Sequence, residues 1–245
     1  MLVTRDLQRQ YTRYRLGYLW TILEPLGMSV VLWLVFTMLL GPRKLGLQPY
    51  FLFLALGILP WWWFTKGTAS MTRVFQRNRS QLRISQLPTE LWVLRVLVGS
   101  SIEFVLSLPV IVFAMLLTRT FPGPLIVLYP VGAALQFVLM YGLGLLISSS
   151  SVVVPDLTRM VRIALRAMFY LTPVLYAISN IPEKIQPLAV LNPMVGPIGL
   201  YRIGFWPEER ESYLHYGLTV SLCLIVFAVG LTVFRRLEAR ILKEA

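Results

Sequence analysis

Long apolar blocks alternate with short polar stretches along the chain, at residues 19–40, 50–64, 91–118, 125–147, 160–178 and 213–234. Most approach the roughly 20 residues that carry a helix across the hydrocarbon core of a bilayer. The block at 50–64 is the shortest, and its Trp61-Trp62-Trp63 cluster has the composition of an anchor at the membrane–water interface. The block at 125–147 continues through a run of serines towards Pro155. No repeat, low-complexity tract or linker divides the chain. The pattern predicts a single all-α, polytopic membrane domain over residues 1–245, with six transmembrane helices.

Three segments between and before these blocks have patterns of their own. In residues 1–18, Val3, Leu7, Tyr11, Tyr14 and Tyr18 recur at helical spacing, with Arg5, Arg9 and Arg13 on the opposite face. An N-terminal amphipathic interface helix of this kind lies in the headgroup layer with its arginines on phosphates; a solvated basic tail is the plainer alternative. Residues 65–90 form a long, basic connection in which Phe75, Leu82, Ile84 and Leu87 sit among the charges, and Pro88 ends any helix there. A connection of that length usually carries a function, although a solvated loop has the same composition. Residues 179–212 are largely apolar in their middle but are broken by Pro187, Pro193 and Pro197 and by Gly196, Gly199 and Gly204. Too broken to span, they predict short re-entrant extracytoplasmic helices before the last span.

Composition sharpens the class. Apolar residues make up 57 % of the chain and charged ones 14 %, against about 25 % charged in a soluble domain, which excludes a water-soluble globule. The net charge of +12 would suggest nucleic acid in a soluble protein. Here the basic residues flank the apolar blocks, the pattern of cytoplasmic loops and anionic-lipid contact, so no nucleic-acid partner is expected. Seventeen lysines and arginines fall on the side that holds both termini and six on the other, which predicts a multi-pass protein with both termini in the cytoplasm. The single cysteine, Cys223, and single histidine, His215, allow no internal disulfide and no structural zinc site, so no metal is expected. The N-terminal segment lacks the apolar core and cleavage site of a signal peptide and is expected to be retained.

Several motifs in order resemble one family. Arg5-Asp6, then Leu16-Gly17-Tyr18-Leu19-Trp20 with Glu24-Pro25-Leu26, resembles the entry to the first span of type-2 ABC exporter permeases for polysaccharides. That family includes the O-antigen, capsule, teichoic-acid and galactan export permeases. Gly57-Ile58-Leu59-Pro60-Trp61 resembles its second-span motif, and Leu87-Pro88-Thr89-Glu90 the end of its coupling loop. Leu171-Thr172-Pro173-Val174-Leu175-Tyr176 is similar to its Ser-Pro-Val-x-Tyr signature, and Leu191-Asn192-Pro193-Met194 to the Asn-Pro motif that follows. One departure is clear: the family often has Arg-Asp after the fourth span, where this chain has Pro155-Asp156, with Arg159 three residues on. The resemblance implies a homodimeric channel in the bacterial inner membrane, made of two copies of this chain. Two copies of a separate ATP-binding subunit would drive it, and it would pass a lipid-linked polysaccharide on a polyprenyl pyrophosphate. Residues 65–90 would be the coupling loop, with Phe75, Arg79, Leu82, Arg83, Ile84 and Leu87 meeting the ATPase, and residues 179–212 an extracytoplasmic gate. The sequence agrees that ATP and Mg belong to the partner: no lysine is followed by Ser or Thr, so there is no Walker A loop to cradle phosphates and no cofactor of the chain's own is expected.

The candidate chemistry lies in and near the fifth block. Arg159, Arg162, Arg166, Phe169, Pro173 and Tyr176 recur at steps of three and four, on one face of a predicted helix. A charge in lipid costs at least about 2.5–3.5 kcal/mol, so such residues face protein or water. The stripe reads as a channel lining in which the arginines meet pyrophosphate and Phe169, Tyr170 and Tyr176 hold sugar rings; arginines snorkelling to headgroups are the alternative. Glu24 and Glu103 are acids inside spans, expensive to ionise unless paired, and a structural ion pair is the expectation for each. A second functional class, a membrane-embedded enzyme acting on polyprenyl-linked glycan precursors, needs clustered acids or a His with a nucleophile at the membrane face. The only acidic cluster, Glu208-Glu209 with Glu211, lies on the opposite side.

Overall fold

A computed structural model of the chain describes residues 20–40, 46–84, 87–182, 184, 186–189, 191–209 and 212–244. The interface helix expected at residues 1–18, with Arg5, Arg9 and Arg13, lies outside the described residues. Among those described there are helices and turns and no strand. The longer helices are α1 (Trp20–Leu40), α2 (Tyr50–Met71), α5 (Glu90–Ser107), α6 (Pro109–Thr118), α7 (Tyr129–Val153), α8 (Leu157–Leu171) and α11 (Tyr213–Glu244). Short helices α3 (Val74–Arg77) and α4 (Arg79–Ile84) lie in the connection at residues 65–90, and α9 (Gln186–Ala189) and α10 (Val195–Arg202) lie before α11. Three stretches, Glu90–Thr118, Pro124–Val153 and Tyr213–Lys243, are long and apolar enough to cross a membrane, and Ile22–Met38 is a shorter apolar helix.

The organising element is α2. Its sequence is apolar on every side, which suits a helix enclosed by others, and α1, α5, α6, α7, α8 and α10 all pack against it. Seventeen of its 22 residues are buried. This revises the expectation for the tryptophans. The helix does not stop at residue 64 but runs to Met71, and Trp61 and Trp63 are only 3 % and 6 % exposed. Trp63 stacks on Phe104 at 4.6 Å between ring centroids, and Trp61 meets Phe64 and Phe169. They are core residues; only Trp62 is partly open, under the Lys66 ammonium at 5.0 Å.

Two features of the chain divide apolar blocks that hydropathy reads as continuous. Pro109 has no N–H to give, and the block at 91–118 splits there into α5 and α6. Pro173 biases the residue before it towards extended backbone, and α8 accordingly ends at Leu171 with Thr172 extended. The fifth helix is therefore Leu157–Leu171, 15 residues, rather than the expected 160–178.

Glycines set the closest helix crossing. A Cβ on Gly142 of α7 would lie 2.5 Å from the Phe227 Cα of α11, and one on Gly230 would run into the Gly142 carbonyl. Two residues on, Gly144 faces the other way, where a Cβ would strike the Met71 sulfur. Small residues at both positions let α7 lie against α11 on one side and α2 on the other.

Candidate functional site

The α8 helix carries Arg159, Arg162, Arg166 and Phe169 within one arc, while Pro173 and Tyr176 lie past its end in the following turn. The predicted stripe is thus a helical face followed by a turn, not one continuous helix. Only Thr158 and Leu165 of α8 are buried, so this protomer leaves most of the helix uncovered. All three arginines are exposed, the Arg162 Nε reaching back to the Thr158 carbonyl at 3.4 Å. Met160, Ile163, Tyr170 and Leu171 are exposed beside them. At the far end Phe169 contacts Trp61 and Tyr170, and the Tyr176 hydroxyl donates to the Tyr170 carbonyl at 3.0 Å. Guanidinium groups at one end and aromatic faces at the other give bidentate donors for phosphate and apolar faces for sugar rings.

The turn after α8 is held by side chains from three other segments. Asn192 donates its amide to the Thr172 hydroxyl at 2.7 Å, which joins the Thr-Pro-Val and Asn-Pro motifs directly. The Tyr50 hydroxyl donates to the Leu175 carbonyl at 3.0 Å. Arg202, at the end of α10, is 6 % exposed and donates through Nη1 to the Pro173 carbonyl at 2.6 Å. Its Nη2 donates to the carbonyls of Val174 at 2.7 Å and Phe53 at 3.2 Å. The guanidinium carbon lies 3.6 Å from the Phe53 ring centroid. Burying an ion costs several kcal/mol even after relaxation; three carbonyls and an aromatic face offset it here. Gly57 makes the space, since a Cβ there would collide with Nη2 and sit 2.7 Å from the Val174 oxygen. The charge pattern of the sequence counted Arg202 only among the six basic residues on the side away from the termini. The signal that marks it is its setting, a lone charge between Tyr201 and Ile203 in an otherwise apolar stretch.

Gln136 was also missed. Fully buried in α7, it donates to the Pro60 carbonyl of α2 at 2.8 Å and accepts from the Tyr201 hydroxyl of α10 at 3.0 Å. It ties three helices at one point.

Glu24 accepts from the Lys66 ammonium at 2.7 Å, both side chains being about half exposed, so the pair contributes no more than about 1 kcal/mol. Glu103 is partly buried and lines the same cleft as Lys66, with Pro25, Trp62, Ser100 and Phe104.

The connection at residues 65–90 divides into two faces. Phe75 is 3 % and Leu82 6 % exposed, Phe75 packing against Phe234 of α11 at 6.1 Å between centroids. Phe75 is turned inward because α11 extends beyond its apolar run and offers it a surface; Leu82 belongs to the same buried cluster. Arg79, Ile84 and Leu87 are exposed, Ile84 at 85 %. The Arg83 side chain lies outside the described residues. At the end of the connection the Thr89 hydroxyl donates to Glu238 Oε1 at 2.6 Å. Among the described residues no three of His, Cys, Asp and Glu gather as metal ligands.

A profile of the ABC-2 type transporter family matches residues 1–206. An O-antigen export system permease protein of Klebsiella pneumoniae is 27 % identical over 241 residues, covering 98 % of this chain and 92 % of that one. The corresponding permease of Myxococcus xanthus is 31 % identical over 211 residues, covering 85 % and 80 %. A polysialic acid transport protein of Escherichia coli is 20 % identical over 242 residues, covering 98 % and 93 %. This chain, with its several apolar membrane helices, belongs to the ABC-2 type transporter family of membrane permeases and is related to the permeases of polysaccharide export.

Proposed function

We propose that two copies of this chain form the membrane path of an exporter that moves a polysaccharide, linked to polyprenyl pyrophosphate, out of the cytoplasm. Two copies of a separate ATP-binding subunit drive it by hydrolysing Mg-ATP. The path crosses the bacterial inner membrane in six spans per copy, with both termini cytoplasmic. The substrate class follows the relatives, named for O-antigen export and polysialic acid transport.

The observation that carries this reading is the uncovered arginine face of α8 in a protomer whose centre is filled. Side chains of α2 occupy the middle of the helix bundle, so a sugar chain has no route through one copy. Three arginines facing lipid would each cost at least about 2.5–3.5 kcal/mol. A second copy facing α8 across a wet path removes that cost and gives the arginines a ligand. Arg159, Arg162 and Arg166 then receive the pyrophosphate, and Phe169, Tyr170, Pro173 and Tyr176 line the way out. Residues 65–90 receive the ATPase through Arg79, Arg83, Ile84 and Leu87, with Phe75 and Leu82 holding that surface in place. Residues 179–212 close the outer mouth, and residues 1–18 lie in the headgroup layer, held there by Arg5, Arg9 and Arg13.

The test is ATP-driven uptake of a pyrophosphate-linked glycan into inverted vesicles that hold the chain with its ATPase. Neutralising Arg162 and Arg166 together with Gln should lower uptake at least tenfold while the complex stays assembled. Uptake at the normal rate by the double variant would refute the lining.

A further inference from the structure

Resting on the reading of residues 179–212 as an outer gate, we propose that Arg202 is the positioning residue that keeps this gate shut, by clamping the turn at residues 172–176 to the central helix α2. Nothing in the export reading requires this residue. Its setting does.

A chain that needed only to pack α10 against α2 would place an apolar residue at this position, as it does at Ile198 and Leu200. Instead a guanidinium enters the core and spends its donors on backbone oxygens of two segments distant in sequence, Phe53 on one side and Pro173 and Val174 on the other. Backbone acceptors at residues 173 and 174 are free because Thr172 has left the helix and no following turn uses them. Arg202 therefore replaces the hydrogen bonds that the helix end gives up, and it does so from α10. Any outward movement of α10 withdraws those donors together and releases the turn that carries Tyr176. Planar, forked donors fix the direction of two carbonyls at once, which a single ammonium does not. The Phe53 ring supports the guanidinium face, and Gly57 leaves it room. Its Nε has no hydrogen-bond partner among the described residues, and the residue lines a cleft together with Ala177, Ile178 and Glu209. The Glu209 carboxylate accepts from the Ser179 hydroxyl at 2.7 Å, a bond within residues 179–212 themselves.

The experiment uses the permease assembled with its ATPase, in resting cells without ATP drive, with Cys223→Ser removing the native thiol and Leu175→Cys reporting on the turn. A membrane-impermeant maleimide is added from outside. Arg202→Gln should speed labelling at position 175 at least tenfold, and Arg202→Lys should give an intermediate rate by keeping the cation without the fork. Phe53→Leu keeps Arg202 and removes only its aromatic support, and should speed labelling about threefold. A merely structural residue would lower the amount of complex without changing the labelling rate of what remains. Unaltered rates in recovered Arg202→Gln complex overturn the clamp. If that variant is not recovered, an unaltered rate in Phe53→Leu overturns it. Because labelling needs neither glycan nor ATP, an altered rate in a protein that transports no glycan would uphold the clamp and sink the export reading. Normal transport with unaltered labelling would do the reverse.

Discussion

The Thr89 hydroxyl donates to Glu238 Oε1 at 2.6 Å, a bond between residues 149 positions apart in sequence. Thr89 closes the connection at residues 65–90 and is buried, while Glu238 stands on the last turns of α11. With the Phe75–Phe234 contact, this bond fixes both ends of the connection to one helix. Whatever pushes on residues 73–88 pushes on α11, and through the Gly142–Gly230 crossing on α7 as well.

Removing the bond should therefore loosen transmission rather than folding. A hydrogen bond to a charged group contributes about 1.5–3 kcal/mol. Thr89→Val and Glu238→Gln should each leave ATP hydrolysis by the assembled complex near normal and lower glycan moved per ATP several-fold. The double variant should be no worse than the more severe single one, which side-by-side uptake and hydrolysis assays measure. Additive losses would mean that the two residues act separately.

The two faces of the connection at residues 65–90 should separate in mutagenesis. Phe75→Ala opens a core cavity and should cost about 3–5 kcal/mol, seen as lost yield and a lower Tm of the purified permease. Ile84→Asp changes an exposed side chain and should leave yield and Tm unchanged while weakening co-purification with the ATPase.

The glycines give a matched pair. A Cβ at Gly230 meets the α7 backbone, whereas one at Gly217 on the same helix meets nothing within 4 Å. Gly230→Ala should destabilise by about 1–3 kcal/mol and Gly217→Ala should not, as thermal unfolding in one detergent will report.

Scanning cysteines along residues 158–178 should map the α8 face directly. In the Cys223→Ser background, an impermeant thiol reagent should label residues 159, 162, 163, 166 and 170 well and 158 and 165 poorly. That period should end at Leu171, where the helix ends. A helical period carried through to residue 178 would contradict the break at Thr172.

The class of the fold was legible because backbone in lipid must satisfy itself within helices, and long apolar blocks follow from that. What surrounds each block was not. Hydropathy does not distinguish lipid from protein as a neighbour, so Trp61 and Trp63 looked like an interface anchor when they belong to the core. The end of α8 was written in Pro173 but was overridden by the three-and-four spacing of the stripe, which continues into a turn. Phe75 and Leu82 were legible as apolar residues in a polar loop. Their burial was not, because Phe234, the partner of Phe75, lies far away in sequence and only folding brings α11 beside it. Arg202 was counted as one of the charges outside the membrane, although its apolar neighbours argued for burial.

The enclosed helix Tyr50–Met71 has a mechanical consequence. Buried over most of its length in an interior of low compressibility, it would act as a push-rod rather than a spring. Its lower end, at Met71, adjoins Val74 and Phe75; its upper end carries Tyr50 and Phe53, which hold Leu175 and Arg202. A displacement applied at the Met71 end would arrive about 30 Å away with little loss, at the residues that fasten the turn after α8. One stiff rod would thus make the two mouths of the path report on each other without any change inside the protomer.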